Sequence, residues 1–127
     1  DRVILDCPPG LTETSEQVMH AADAIIVPLI PSPLSRRALE DVVQHLDREH
    51  KGHGPILPVF SMVDRRRTLH REALEAQPDW PAIPMASAVE QMAVNRAPVG
   101  EFAGHSPAGL AFTALWRGIE ARLAKRK

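Results

Sequence analysis

The chain has 127 residues, 44% of them apolar, with a formal net charge of -1, no tyrosine and a single cysteine. That length suits one domain, 1–127, with an aliphatic core, and a charge near zero argues against a wholesale polyanion binder. One cysteine excludes an internal disulfide framework, and no apolar run approaches the ~18 residues of a membrane span.

No signal peptide is visible, so a soluble cytoplasmic protein is expected. In chain order, Val3 to Asp6 (VILD) is a short apolar run stopped by Pro8 and Pro9. It reads as a strand buried on both faces. Leu11 to Ala22 reads as a helix capped by Thr12 or Thr14. Ala24 to Ile30 (AIIVPLI) is a second buried strand, with Pro28 near the sheet's exit. The segment from Pro31 to Gly54 carries Leu34, Ala38, Leu39, Val42, Val43 and Leu46 at spacings of three and four. This is an amphipathic helix, ended by Gly52 and Gly54.

Ile56 to Val63 (ILPVFSMV) is a third strand, and Thr68 to Gln77 a short helix that Thr68 could cap. Ala82 to Pro84 is a short strand. Ser87 to Asn95 is a helix with a Ser87–Glu90 capping box. Pro107 to Lys125 is the last helix, with Pro107 in its first turn. Apolar strands alternating with helices specify an α/β fold: a parallel sheet covered by helices on both faces. Function in such sheets sits at the carboxyl ends of the strands. The loops of interest are therefore 6–10, 30–35, 61–68 and 84–90.

Asp6 ends the first run. A carboxylate there can hold a hydrated magnesium ion, since Mg²⁺ keeps several waters and takes one or two carboxylates. The plainer reading is an Asp that caps the following turn. Arg65, Arg66, Arg67, His70 and Arg71 form a basic cluster. It reads either as a phosphate or DNA contact or as a solvated helix start paired with Glu72 and Glu75. Phe112, Leu115, Trp116, Ile119 and Leu123 give the last helix an apolar stripe, read as core packing rather than membrane contact. His45, His50 and His53 match no strong zinc pattern. Cys7 reads as a small packed residue, not a nucleophile.

The order of these pieces resembles the second half of ParA/MinD-like P-loop ATPases. It runs DRVILDCPPGL, AADAIIVPL, a helix after a Pro-rich loop, FSMVDRRRTLH, AIPMASAVEQMAVNRAPV and a closing helix. In that family a strand ending in Asp precedes Cys-Pro-Pro, an Ala-Asp pair leads into the next strand, and a later strand ends in a small polar residue followed by x-x-Asp. An Ile-Pro dipeptide then opens a segment containing a Glu.

The resemblance implies a partial P-loop NTPase fold of three Rossmann-like layers. It implies Asp6 on Mg²⁺ through water, Pro8, Pro9 and Gly10 in a switch-like loop, and Ser61 and Asp64 near the adenine. Pro84 and Met85 would line the base pocket. Ser61 stands where relatives often carry Asn or Thr. The intact protein would bind ATP and Mg²⁺, form a homodimer around nucleotide, respond to a partner that stimulates hydrolysis, and partition or position DNA or other cargo. Non-specific DNA contact would fall to Arg65, Arg66, Arg67 and Arg71. No membrane partner is expected.

No G-x-x-x-x-G-K-[ST] occurs in the chain. Without a cradle of backbone N–H groups and its lysine, phosphates have no seat. The chain alone is therefore expected to be catalytically inactive and to hold neither ATP nor Mg²⁺ tightly. The expectation is a C-terminal portion of a longer ATPase, lacking on the order of 80–100 residues, the size of an α/β half-domain. The alternatives are a non-catalytic module that pairs through an exposed strand edge, or a relative of the cobyrinic acid a,c-diamide synthase or cellulose-synthesis branches.

Overall fold

The computed structural model describes residues 1–8, 10–49 and 52–125. Pro9, His50, Lys51, Arg126 and Lys127, and the expectations placed on them, lie outside the described residues. The elements are α1 (Glu13–Ala21), β1 (Ile25–Leu29), α2 (Pro33–Arg48), β2 (Ile56–Val63), α3 (Thr68–Ala76), β3 (Ala82–Pro84), α4 (Ser87–Asn95), α5 (Val99–Ala103) and α6 (Pro107–Ala124). Three parallel strands form one sheet in the order β1-β2-β3, which bears out the α/β expectation.

The sheet tolerates two prolines because of where their missing N–H groups would point. The Ile25 N–H bonds to the Pro55 carbonyl, so odd-numbered residues of β1 address β2. Pro28 therefore faces away from β2. In β2, the Phe60 N–H bonds to the Pro81 carbonyl, so even-numbered residues up to Phe60 face the β3 side. Pro58 faces that side before β3 has begun, since pairing starts at Phe60 with Ala82. Neither proline removes a ladder bond.

One face of the sheet packs on α2 and α3. Leu29, Leu39, Phe60 and Val63 are its buried centre, with Val27, Val43, Ile56, Ala73, Leu74 and Trp80 around them. Phe60 and Trp80 stack with ring centroids 5.1 Å apart and planes tilted by 44°. Leu57, Val59 and Ile83 alternate with these residues and are also buried, so β2 is covered on both sides. Helix α6 packs against β3. Its stripe is only partly internal: Ile119 is buried while Trp116 is exposed.

Helix starts follow local chemistry. Thr12 and Ser15 form a reciprocal capping box on α1. Ser32 caps α2 ahead of Pro33, and Ser106 caps α6 ahead of Pro107. Two expected caps are corrected. The N-cap of α3 is Arg67, with Thr68 already helical, and the N-cap of α4 is Ala86, so Ser87 makes no capping box. Helix α2 ends at Arg48, before the glycines, and Leu34 in its first turn lies exposed. Helix α5 has no counterpart in the sequence pattern, because five residues are too few to show a period.

The larger correction concerns the first apolar run. Val3, Ile4 and Leu5 are 85%, 77% and 59% exposed, and Val3 to Asp6 form no strand. An apolar run becomes a buried strand only when a neighbour takes its backbone bonds. The described sheet offers this run no such neighbour. The segment is held instead by Arg2, whose guanidinium donates two bonds of 2.9 Å to Glu120 on α6.

Helix α1 is tied to its surroundings by histidines. His45 Nε2 meets Glu16 Oε1 at 2.7 Å, and His20 Nδ1 donates to the Gly52 carbonyl at 3.0 Å. Gly54 allows the chain to pass close to the α1–β1 link. A Cβ there would lie 2.6 Å from the Ala22 carbonyl oxygen and 2.7 Å from Asp23 backbone atoms. Gly54→Ala should therefore destabilise the fold by about 2 kcal/mol, as overpacking against backbone does. Urea unfolding of the two proteins checks this through the midpoint.

Candidate functional site

The end of β2 is irregular in a defined way. Phe60 pairs with Ala82 and Val63 with Pro84, so three steps on β2 match two on β3. One extra residue is accommodated between them, a β-bulge. Met62 takes it up with φ of 52°, in the left-handed region. The extra residue shifts the phase of the strand by one. Phe60 and Val63 consequently face the same core although they are an odd number of residues apart. Sequence reading missed the bulge because methionine gives no sign of positive φ; a glycine would have.

The bulge brings expected site residues together. Ser61 and Met62 sit in it, and Asp64 follows directly. The Met85 N–H donates to the Val63 carbonyl at 3.0 Å, which fixes Pro84 and Met85 beside Asp64. Ser61, Asp64, Pro84 and Met85 thus occupy one patch at the carboxyl ends of the central strand and its neighbour. Met62 and Met85 are exposed there, as are Ile30, Leu34 and Leu69.

Asp64 is held by its own sequence neighbour. Both carboxylate oxygens accept from the Arg66 guanidinium at 2.9 Å, and Oδ1 also accepts the Arg66 N–H at 3.0 Å. These bonds hold the Asp64 carboxyl down at about 2, against an ordinary 3.8. The pairing expected for the basic cluster, with Glu72 and Glu75, is corrected for Arg66, which serves Asp64. Arg71 donates to the Arg65 carbonyl and to the Thr68 hydroxyl, each at 3.4 Å. His70 is not part of a solvated basic face. It is buried, and its Nδ1 accepts the Asp64 N–H at 3.0 Å.

The first loop is not assembled with this patch by any bond among the described residues. Asp6 and Pro8 are exposed, and Gly10 has φ of 103°. The Gly10 carbonyl accepts from the Ser15 hydroxyl at the start of α1. Cys7 is half-buried, with its sulfur 4.0 Å from the Leu5 carbonyl. No three His, Cys, Asp or Glu side chains among the described residues gather as a metal group. Asp6 supplies one carboxylate without a fixed companion. The described residues therefore do not by themselves complete a seat for Mg²⁺ or phosphate. A cavity of about 290 Å³ lies between α2 and α3, lined by Leu29, Ile30, Phe60, Leu69, Ala73 and Trp80 among others. It opens on the helical face of the sheet and contains none of the expected site residues.

Two outcomes are expected. Met62→Gly should raise stability by about 1 kcal/mol by releasing left-handed strain, while a β-branched Met62→Val should lower it; urea midpoints at unchanged slope check both. Because the folded carboxyl of Asp64 lies below its unfolded value, its contribution is complete above 3.8 and is lost as pH falls toward about 2. A carboxyl-detected NMR titration should place Asp64 near that low value, and Arg66→Gln should return it toward the ordinary range.

Among the described residues, no helix is long and apolar enough to cross a membrane. No family model matches the chain. The chain is 32% identical over 74 residues to the chromosome partitioning protein ParA of two strains of Caulobacter vibrioides, NA1000 / CB15N and ATCC 19089 / CIP 103742 / CB 15. The match takes in 55% of this chain and 28% of those proteins, so it spans little more than a quarter of the relatives' length. With a parallel α/β sheet of the expected kind, this partial similarity relates the chain to the ParA partitioning proteins.

Proposed function

We propose that the chain is the base-side portion of a ParA/MinD-like ATPase, which in intact form binds and hydrolyses ATP with Mg²⁺ to partition or position DNA or other cargo. One observation carries this reading. The bulge at the end of β2 and its pairing to β3 gather Ser61, Asp64, Pro84 and Met85 at the carboxyl ends of parallel strands, where α/β folds take nucleotides. In this reading the adenine is met largely by backbone, with Pro84 and Met85 beside it. Asp6 becomes the magnesium carboxylate, and Pro8, Pro9 and Gly10 a phosphate-sensing loop, once a phosphate cradle is present. The exposed Ile30, Leu34, Met62, Leu69 and Met85 flank the same strand ends and suit contact with a second copy around nucleotide.

A second reading draws on a different observation. Val3 to Leu5 are unpaired and exposed, and the side of β1 away from β2 carries no strand among the described residues. A non-catalytic module could add a partner's strand at that edge. Non-specific DNA contact through Arg65, Arg66, Arg67 and Arg71 is weakened by the engagement of Arg66 with Asp64.

The test uses the full-length gene product and this chain side by side. Equilibrium binding of a fluorescent ATP analogue with Mg²⁺ should be tight for the full-length protein and at least about a hundredfold weaker for the chain alone, as loss of a phosphate cradle requires. Asp6→Asn in the full-length protein should abolish hydrolysis. A full-length protein that binds no nucleotide would end the ATPase reading. Concentration-dependent association of the chain, indifferent to nucleotide, would then favour the strand-edge module.

A further inference from the structure

We infer that His70 is the positioning residue of the loop after β2, and that it holds Asp64 in place only while its Nδ1 carries no proton. The basis is a hydrogen bond of unambiguous direction. A backbone N–H can only donate, so the Asp64 N–H at 3.0 Å makes His70 Nδ1 the acceptor. The ring proton must then reside on Nε2. Protonation at Nδ1 would set one N–H against another and break the bond.

Burial makes this bond consequential. His70 is 2% exposed, in the first turn of α3, and solvent has little access to replace what the ring provides. An N–H buried without an acceptor is costly. The bond also joins two ends of one short loop. Asp64 lies at the exit of the strained bulge, and His70 lies six residues on, inside the helix. Between them, Arg66 closes on Asp64 through three bonds. Asp64 thus has its backbone fixed by His70 and its carboxylate fixed by Arg66. Releasing the first leaves the Asp64 N–H without its acceptor where the chain leaves the sheet, while the Asp64 carbonyl still accepts the Arg67 N–H at 3.0 Å.

The charged surroundings are defined. Asp64 and Arg66 stand on the loop as an ion pair, with the cation of Arg65 between them in sequence. Arg67, Arg71, Glu72 and Glu75 stand on or beside α3 itself. Strands β2 and β3 contain no ionisable side chain, and α2, on the same face of the sheet, brings Arg36 and Glu40 paired with each other. A proton arriving on His70 therefore meets one carboxylate on the loop, that of Asp64, which already serves Arg66.

Because Asp64 belongs to the base-side patch, the inference deepens the nucleotide reading: the geometry of that patch depends on which ring nitrogen of His70 carries the proton. The measurement stands apart from that reading, since it needs no nucleotide. In the ¹⁵N-labelled chain at about pH 7.5, long-range ¹H–¹⁵N spectra should show the Nε2–H tautomer of His70 and a nitrogen–nitrogen coupling to the Asp64 amide across the hydrogen bond. Lowering the pH until the ring nitrogens of His70 themselves report a second proton should abolish the coupling and speed exchange of the Asp64 amide by about tenfold or more.

Two variants separate clamping from packing. His70→Asn keeps an oxygen near the place of Nδ1 and does not titrate, so it should preserve protection at both pH values. His70→Gln moves the amide to the place of Nε2 and should lose protection at both. An Nδ1–H tautomer, a coupling that survives once the ring carries both protons, or equal behaviour of the two variants would overturn the inference. The first two of these are read in the unaltered chain, whatever the variants' stability.

Discussion

The pairing of β2 with β3 across a one-residue bulge is the constraint on which the rest of the candidate site depends. Strand β2 lies between the other two, with helices over both of its faces, so it cannot slide without moving the core. The bulge lets Phe60 and Val63 both enter the α2–α3 face. A regular strand would turn Val63 to the opposite face and would carry Asp64 with it. The left-handed Met62 holds the strain of that phase shift. Strain of this size persists only where the surroundings overdetermine it. Here they do, through buried neighbours on both sides and through the Met85–Val63 bond.

Beyond the bulge the chain closes into a short local lock. Asp64, Arg66 and His70 lie within seven residues of one another in sequence. Asp64 is bound on its carboxylate by one and on its backbone by the other. Such local closure lets an exposed loop keep a defined shape with little help from the core. Any partner that needs the Asp64 carboxylate must compete with a two-pronged arginine pair. Recognition through the backbone of residues 61–64 carries no such cost.

The first residues and the outer side of β1 are less complete in their contacts. The apolar run at Val3 to Leu5 is anchored at Arg2 and exposed beyond it, while β1 has a side without a strand among the described residues. Exposed apolar backbone and a sheet edge without a partner strand are both surfaces that favour pairing. The partial similarity to ParA covers 28% of that protein's length. Ser61, Asp64, Pro84 and Met85 share one patch; Asp6 and Pro8 are not bonded to it.

Much of the fold was legible in sequence because its signals are local. Continuous β-branched runs marked β1 and β2, three- and four-residue spacing marked α2, and a threonine ahead of α1 marked its cap. The failures were of a different kind. Val3 to Asp6 has the composition of a buried strand, but burial is a relation to a neighbour, and composition does not supply one. The tertiary structure alone decided that β2 bulges at Met62, that His70 leaves the basic cluster to accept the Asp64 N–H, and that Arg66 serves Asp64 rather than the glutamates downstream. Periodicity is written residue by residue along a chain. Register, strain and the direction of a hydrogen bond exist only between segments, once packing has chosen which atoms meet.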